Sequence, residues 1–257
     1  TADTTAPEDV AYAYIVTATD TEGEAITLTG TTIPSWASFV DLGSGSGVLS
    51  GTPTNSDVTS GFEVTLTATD ASNAAGTQVF DIVVANANDA PPVASANSAA
   101  STAEDASYSL DASGTCTDVD ASDTMTYTIS GGPSTITTTD AGVISGTPVN
   151  ADVGAHTITV TCTDAAGAAA TDSYVLTVTN TNDAPTVASA NSAASTAEDA
   201  AYSLDASGTC TDVDASDTMS YTISGGPSTI TATTAGVISG TPVNADVGAH
   251  TITVTCT

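Results

Sequence analysis

Apolar residues along this chain alternate with polar ones and do not recur at every third or fourth position. In His156-Thr-Ile-Thr-Val-Thr-Cys162 the residues Ile158, Val160 and Cys162 are separated by threonines, the period-2 pattern of a strand with one buried face. Tyr108, Leu110 and Cys116 share one parity; Met125, Tyr127 and Ile129 form a second such set, and Tyr174, Leu176 and Val178 a third. Gly131-Gly132-Pro133, Ala141-Gly142 and Gly146-Thr147-Pro148 supply turns between them. The pattern predicts an all-β chain of about seven short strands per unit, joined by turns every ~8–12 residues, which is an immunoglobulin-like Greek-key β-sandwich.

The units repeat. Residues 90–163 and 184–257 differ at five of 74 positions, at an offset of 94 residues. That length far exceeds one coil of a solenoid, so each copy is expected to hold its own core, in a linear array. Residues 1–86 are a diverged copy that shares Glu8-Asp9 with Glu104-Asp105, Gly51-Thr52-Pro53 with Gly146-Thr147-Pro148, and Thr69-Asp70 with Thr163-Asp164. The predicted domains are 1–86, 87–180 and 181–257. The third stops at Thr257 where the second continues through Asp164 to Val178, so its final strand is expected from later sequence or from a neighbouring copy.

Charge narrows the partners. The 257 residues include 30 Asp plus Glu and no Lys or Arg, a formal charge of -30. Such a chain cannot neutralise phosphates, which excludes nucleic acid, and anionic headgroups repel it. Self-repulsion opposes compaction, so the folded form is expected to depend on counter-ions or bound divalent metal. An apolar fraction of 40% argues against disorder. No run approaches the ~20 apolar residues needed to span a bilayer, and residues 1–20 lack a basic segment followed by an apolar one. Any export signal or anchor is therefore expected outside these residues.

The cysteines are Cys116 and Cys162 in unit two and Cys210 and Cys256 in unit three, with Ala18 and Ala68 at the corresponding places in unit one. Both members come or go together, as bonded pairs do. Their parity directs them inward from the second and penultimate strands, the pair bridged across many immunoglobulin cores. A disulfide in each of units two and three is predicted, which places the chain in an oxidising, extracellular compartment. The alternative, a zinc site, lacks paired-cysteine spacing and nearby histidines.

Acidic and amide residues gather in four recurring segments: Asn86-Ala-Asn88-Asp89-Ala-Pro91, Glu104-Asp105, Asp118-Val-Asp120 followed by Asp123, and Thr163-Asp164. Calcium takes six to eight hard oxygen ligands, and two carboxylates at i and i+2 can converge on one ion. Taken singly, such residues equally cap turns. Together with Asn182-Asp183-Ala184-Pro185, Glu198-Asp199, Asp212-Val-Asp214 and Ile33-Pro-Ser-Trp36, they resemble cadherin-like tandem repeats of the bacterial and dystroglycan type, an Ig-like domain family, over essentially the whole chain.

The resemblance implies Ca2+ between successive domains. Carried over, the first junction would use Glu8, Asp57, Asn86, Asn88, Asp89, Asp118, Asp120 and Asp164. The second would use Glu104, Asp152, Asn180, Asn182, Asp183, Asp212 and Asp214. Where the family has Leu-Asp-Arg-Glu this chain has Pro148-Val-Asn150-Ala-Asp152, which removes a glutamate and implies fewer ions per junction.

The expected function is a structural or adhesive element at the cell surface or in secreted form, a calcium-stiffened rod or filament whose partners are calcium and neighbouring copies. Carbohydrate binding is the alternative, although the single Trp, Trp36, stands beside Phe39 as core residues would. Catalysis has little to stand on: the two histidines, His156 and His250, occupy equivalent strand starts, and no Gly-x-Ser-x-Gly, phosphate-loop or His-Glu-x-x-His motif occurs. Thr157, Thr159 and Thr161 line one strand face, which suits ice binding but equally any exposed strand.

Overall fold

The computed structural model describes residues 4–120, 123–214 and 216–257. Unit one contains β1 (Thr5–Pro7), β2 (Tyr12–Thr17), β3 (Thr27–Thr32), β4 (Ala37–Gly43), β5 (Ser46–Gly51), β6 (Thr59–Thr69) and β7 (Ala75–Ala85). They form two sheets, β1-β7-β6-β3 and β2-β5-β4. β1 runs parallel to β7, and the other pairings are antiparallel. Alternation sends one side of each strand between the sheets, where Tyr12, Leu28, Leu49, Val64, Leu66 and Ile82 are buried. Trp36 and Phe39 pack against this core, and Trp36 meets Tyr12 edge-to-face at 5.8 Å.

Unit two repeats the plan with β8 (Ala100–Ala103), β9 (Tyr108–Asp111), β10 (Thr126–Gly131), β11 (Ile136–Thr138), β12 (Val143–Gly146), β13 (Gly154–Thr163) and β14 (Ala169–Thr179). Its sheets are β10-β13-β14-β8 and β11-β12-β9. The residues of the three predicted parity sets are buried or pack against one core. The chain is thus all-β, built from tandem immunoglobulin-like sandwiches.

Both predicted disulfides are present, Cys116–Cys162 and Cys210–Cys256. One detail differs from the expectation. Cys162 lies in the penultimate strand β13, but Cys116 stands beyond the end of β9, in an isolated bridge to Val93. A turn ends β9 early: Ser113 N–H donates to Asp111 Oδ1, and Thr115 N–H to the Ala112 carbonyl. In unit one, at Ala18 and Ala68, a cavity of about 440 Å³ opens, lined also by Ile26, Leu28, Leu66 and Gln78.

Unit three contains β15 (Thr186–Val187), β16 (Tyr202–Asp205), β17 (Cys210–Thr211), β18 (Tyr221–Gly225), β19 (Ile230–Ala232), β20 (Val237–Gly240) and β21 (Ile252–Cys256). Among the described residues β21 pairs with β18 alone, and residues 194–197, the counterpart of β8, form no strand. The consequence is read on near-identical residues. Ile158, Val160 and Cys162 are each 0% exposed in unit two, whereas Ile252, Val254 and Cys256 are half-buried.

Candidate metal centres at the domain junctions

Units one and two each open their chemistry with a glutamate just after a short parallel strand. Glu8 follows β1, its N–H extends the ladder by donating to the Ala85 carbonyl, and Asp9 then turns the chain at φ 57°. A short polar side chain tolerates that left-handed backbone. The Glu8 side chain is thereby buried at 1% exposure. Its Oε1 accepts the Ala87 N–H of the linker at 2.7 Å, while its Oε2 is buried without any hydrogen-bond partner. Glu104 repeats this after β8: φ 56° at Asp105, the Thr181 N–H on Oε1 at 2.8 Å, and Oε2 buried and unpartnered.

From the following unit, Asp118-Val119-Asp120 forms a tight turn in which Asp120 N–H donates to Asp118 Oδ1 at 2.9 Å. Asp120 is 3% exposed and accepts two bonds, one from the Asn55 amide of unit one and one from the linker N–H of Asp89, each at 2.9 Å. Carboxylate oxygens of Glu8, Asp89 and Asp120 consequently lie within 4.8 Å of one another, as do those of Glu104, Asp183 and Asp214 at the next junction.

A second group lies beside the first. Asp118, Asp123 and Asp164 bring carboxylate oxygens within 4.8 Å of one another, and Asp118 Oδ2 and Asp123 Oδ2 are buried without partners. Burial, reinforced by the charges of Asp118, Asp120 and Asp164, pushes the Asp123 carboxyl above the usual carboxylate range. Asp164 moves the other way. The Asn88 amide at 2.8 Å holds its carboxyl low, aided against burial by backbone N–H groups of residues 166–168. At the second junction Asp183 is raised by burial and by Asp105, Asp214, Glu104 and Asp212; a further group there is Asp212, Asp214 and Asp217, with Asp214 in the place that Asp164 takes at the first junction.

The predicted residues divide accordingly. Glu8, Asp89, Asp118, Asp120 and Asp164 come together at the first junction, with Asn88 bonded to Asp164; Glu104, Asp183, Asp212 and Asp214 come together at the second. Asn86, Asn180 and Asn182 are exposed, with the Asn86 and Asn182 amides turned to the backbone of the next residue. Asp57 and Asp152 stay outside both groups. Each closes its own 3-10 turn, Asn55–Asp57 or Asn150–Asp152, by accepting the N–H of Thr54 or Val149. The residue of that turn that reaches across is the asparagine, Asn55 or Asn150.

The carried-over ligand set omitted Asp123 and Asp217, whose only sequence signal is an acidic residue three positions after Asp120 or Asp214. The donors are all oxygen, and three of the groups hold buried carboxylate oxygens without partners, Glu8 Oε2, Glu104 Oε2, and Asp118 Oδ2 with Asp123 Oδ2, which suits a hard divalent cation. The chain has no Lys or Arg to supply an internal counter-charge.

A family model described as Putative Ig domain matches residues 1–85, 90–179 and 184–257. No curated protein matches the sequence. Among solved structures, mouse cadherin-23 EC22-24 aligns with a TM-score of 0.56 at 17% identity, covering 90% of this chain and 80% of that one. An endo-fucoidan hydrolase of glycoside hydrolase family 107 aligns at 24% identity and a TM-score of 0.35, covering 97% of this chain. The chain spans 40% of the length of that hydrolase. Human mucin-like protocadherin EC1-2 aligns at 17% identity and a TM-score of 0.48, covering 69% of this chain and 95% of that one.

Proposed function

The chain belongs to the Putative Ig domain family, in three tandem copies, and from that premise we propose that it is an extracellular structural or adhesive segment whose junctions bind calcium. The observation that carries this reading is the pair of buried, unpartnered oxygens Glu8 Oε2 and Glu104 Oε2, each within a group of carboxylates drawn from two units and their linker. A buried charged oxygen without a partner is strongly unfavourable. Neighbouring carboxylates add repulsion, and the chain has no Lys or Arg to relieve it. A divalent ion from solution relieves both.

In this reading Glu8, Asp89 and Asp120 hold one ion at the first junction, with Asp118, Asp123 and Asp164 offering a second place. Glu104, Asp183 and Asp214, with Asp212 and Asp217, serve the second junction. The ion supplies positive charge and a shared set of oxygen bonds, so the ends of adjacent sandwiches are tied through it. Successive units then align as an extended surface rod, and neighbouring copies are its natural partners in an adhesive array or filament. The disulfides support a secreted or cell-surface location.

Small-angle scattering of the 257-residue chain tests the stiffening. Calcium is expected to lengthen the maximum dimension and narrow the distance distribution relative to a chelator. Identical curves in both conditions would refute it.

A further inference from the structure

The 3-10 turn that precedes β6, and its counterpart before β13, are built alike although their sequences differ: Thr54-Asn-Ser-Asp57 in one and Val149-Asn-Ala-Asp152 in the other. In each, the third residue of the turn folds back, with Asp57 Oδ2 accepting the Thr54 N–H at 2.9 Å and Asp152 Oδ2 accepting the Val149 N–H at 3.0 Å. That cap occupies the acidic side chain and fixes the backbone of the first residue, the asparagine. Asn55 then donates to Asp120 Oδ1 of unit two at 2.9 Å, and Asn150 donates to Asp214 Oδ1 of unit three at the same distance. The turn in unit three has the same cap, Val243 N–H to Asp246 Oδ2 at 3.0 Å, and leaves Asn244 exposed. The turn is therefore set before anything docks on it.

We infer that Asn55 and Asn150 are latch residues, whose side-chain amides hold successive units in register across each junction without a metal ion. The acceptor is well chosen for this. Asp120 and Asp214 are each 3% exposed, and their second oxygens take the linker N–H of Asp89 at 2.9 Å and of Asp183 at 2.7 Å. One carboxylate thus gathers the preceding unit, the linker and its own unit. Hydrogen bonds to a charged, desolvated acceptor are the stronger kind. An amide also donates where a carboxylate would add a further negative charge beside Glu8, Asp89 and Asp120. With the calcium reading above, the latch sets the resting register and the ion stiffens it; the latch itself does not depend on that reading.

The test is unit-resolved 15N relaxation on the whole chain, comparing wild type with Asn55→Ala and Asn55→Asp in chelator and in excess calcium. In chelator, both substitutions are expected to shorten the rotational correlation time of unit one by about twofold relative to wild type, as a bead freed from its neighbour would show. Amide shifts in β2–β5 should stay fixed, which separates release of the unit from its unfolding. Calcium should restore Asn55→Ala toward wild type. If Asn55→Ala in chelator tumbles as wild type does, the latch is wrong. If calcium leaves wild type unchanged while Asn55→Ala still frees unit one, the latch stands and the calcium reading falls.

Discussion

Removing the Cys116–Cys162 bond should weaken unit two by an amount that follows from its place in the chain. The bond closes a loop with a sequence separation of 46, and the chain-entropy relation then assigns it about 4 kcal/mol at 25 °C. A small domain is stable by only about 5–15 kcal/mol, so the loss is a large share of the total. Unit one is the internal control, because it carries Ala18 and Ala68 at the equivalent places. Hydrogen exchange resolves the units separately and avoids treating a three-domain chain as a single transition. In the Cys116→Ala/Cys162→Ala chain, the slowest amides of β13 and β14 should exchange about a thousandfold faster, while those of β6 and β7 keep their rates. Reduction of the wild-type chain, which leaves both side chains in the core, should give a similar acceleration in units two and three. A change below about tenfold in unit two, or an equal change in unit one, would refute the reasoning.

Other outcomes follow from the junctions. Glu8→Gln should act with opposite signs in two conditions, stabilising the chain by about 1–3 kcal/mol in chelator and destabilising it in saturating calcium, as thermal melts would report. The two shifted aspartates also oppose one another. Asp164, held low, contributes stability above the ordinary carboxylate range that is lost as pH falls through its folded value, so Asp164→Asn should destabilise the ion-free chain at neutral pH and have no effect in strong acid. Asp123, raised, is a liability above its folded value, so Asp123→Asn should stabilise the ion-free chain at neutral pH, with the gain vanishing on acidification. A synthetic peptide of residues 164–180, which carries the β14 pattern of Tyr174, Leu176 and Val178, should dock beside β21 and slow exchange at Ile252 and Val254. A peptide with those three residues changed to Ser should not.

Much of this arrangement is legible in the residues alone. Alternation at Ile158, Val160 and Cys162 set the buried face of β13, and the paired loss of cysteines in unit one gave the bridging partners. What alternation cannot see is where a strand stops. Asp111 captures the Ser113 N–H, so Cys116 keeps an inward parity but sits past the end of β9. The junction was legible as a set of acidic segments, not as individual contacts. Asp57 and Asn55 are two positions apart on one turn, and only the cap formed by Thr54 decides that the aspartate folds back while the asparagine crosses to Asp120. Asp123 is tied to Asp120, its N–H donating to the Asp120 carbonyl at 2.9 Å, and its carboxylate joins those of Asp118 and Asp164. A side chain five residues along from Asp118 acquires its place from that backbone bond, which the spacing itself does not reveal.

Titration calorimetry of the 257-residue chain with calcium, after exhaustive chelation, addresses the binding itself. Saturable uptake of at least one ion per junction is expected at millimolar calcium or below, reduced by one junction's share in Glu8→Gln and again in Glu104→Gln. An absence of binding heat through the millimolar range, or uptake that is indifferent to both substitutions, would contradict it.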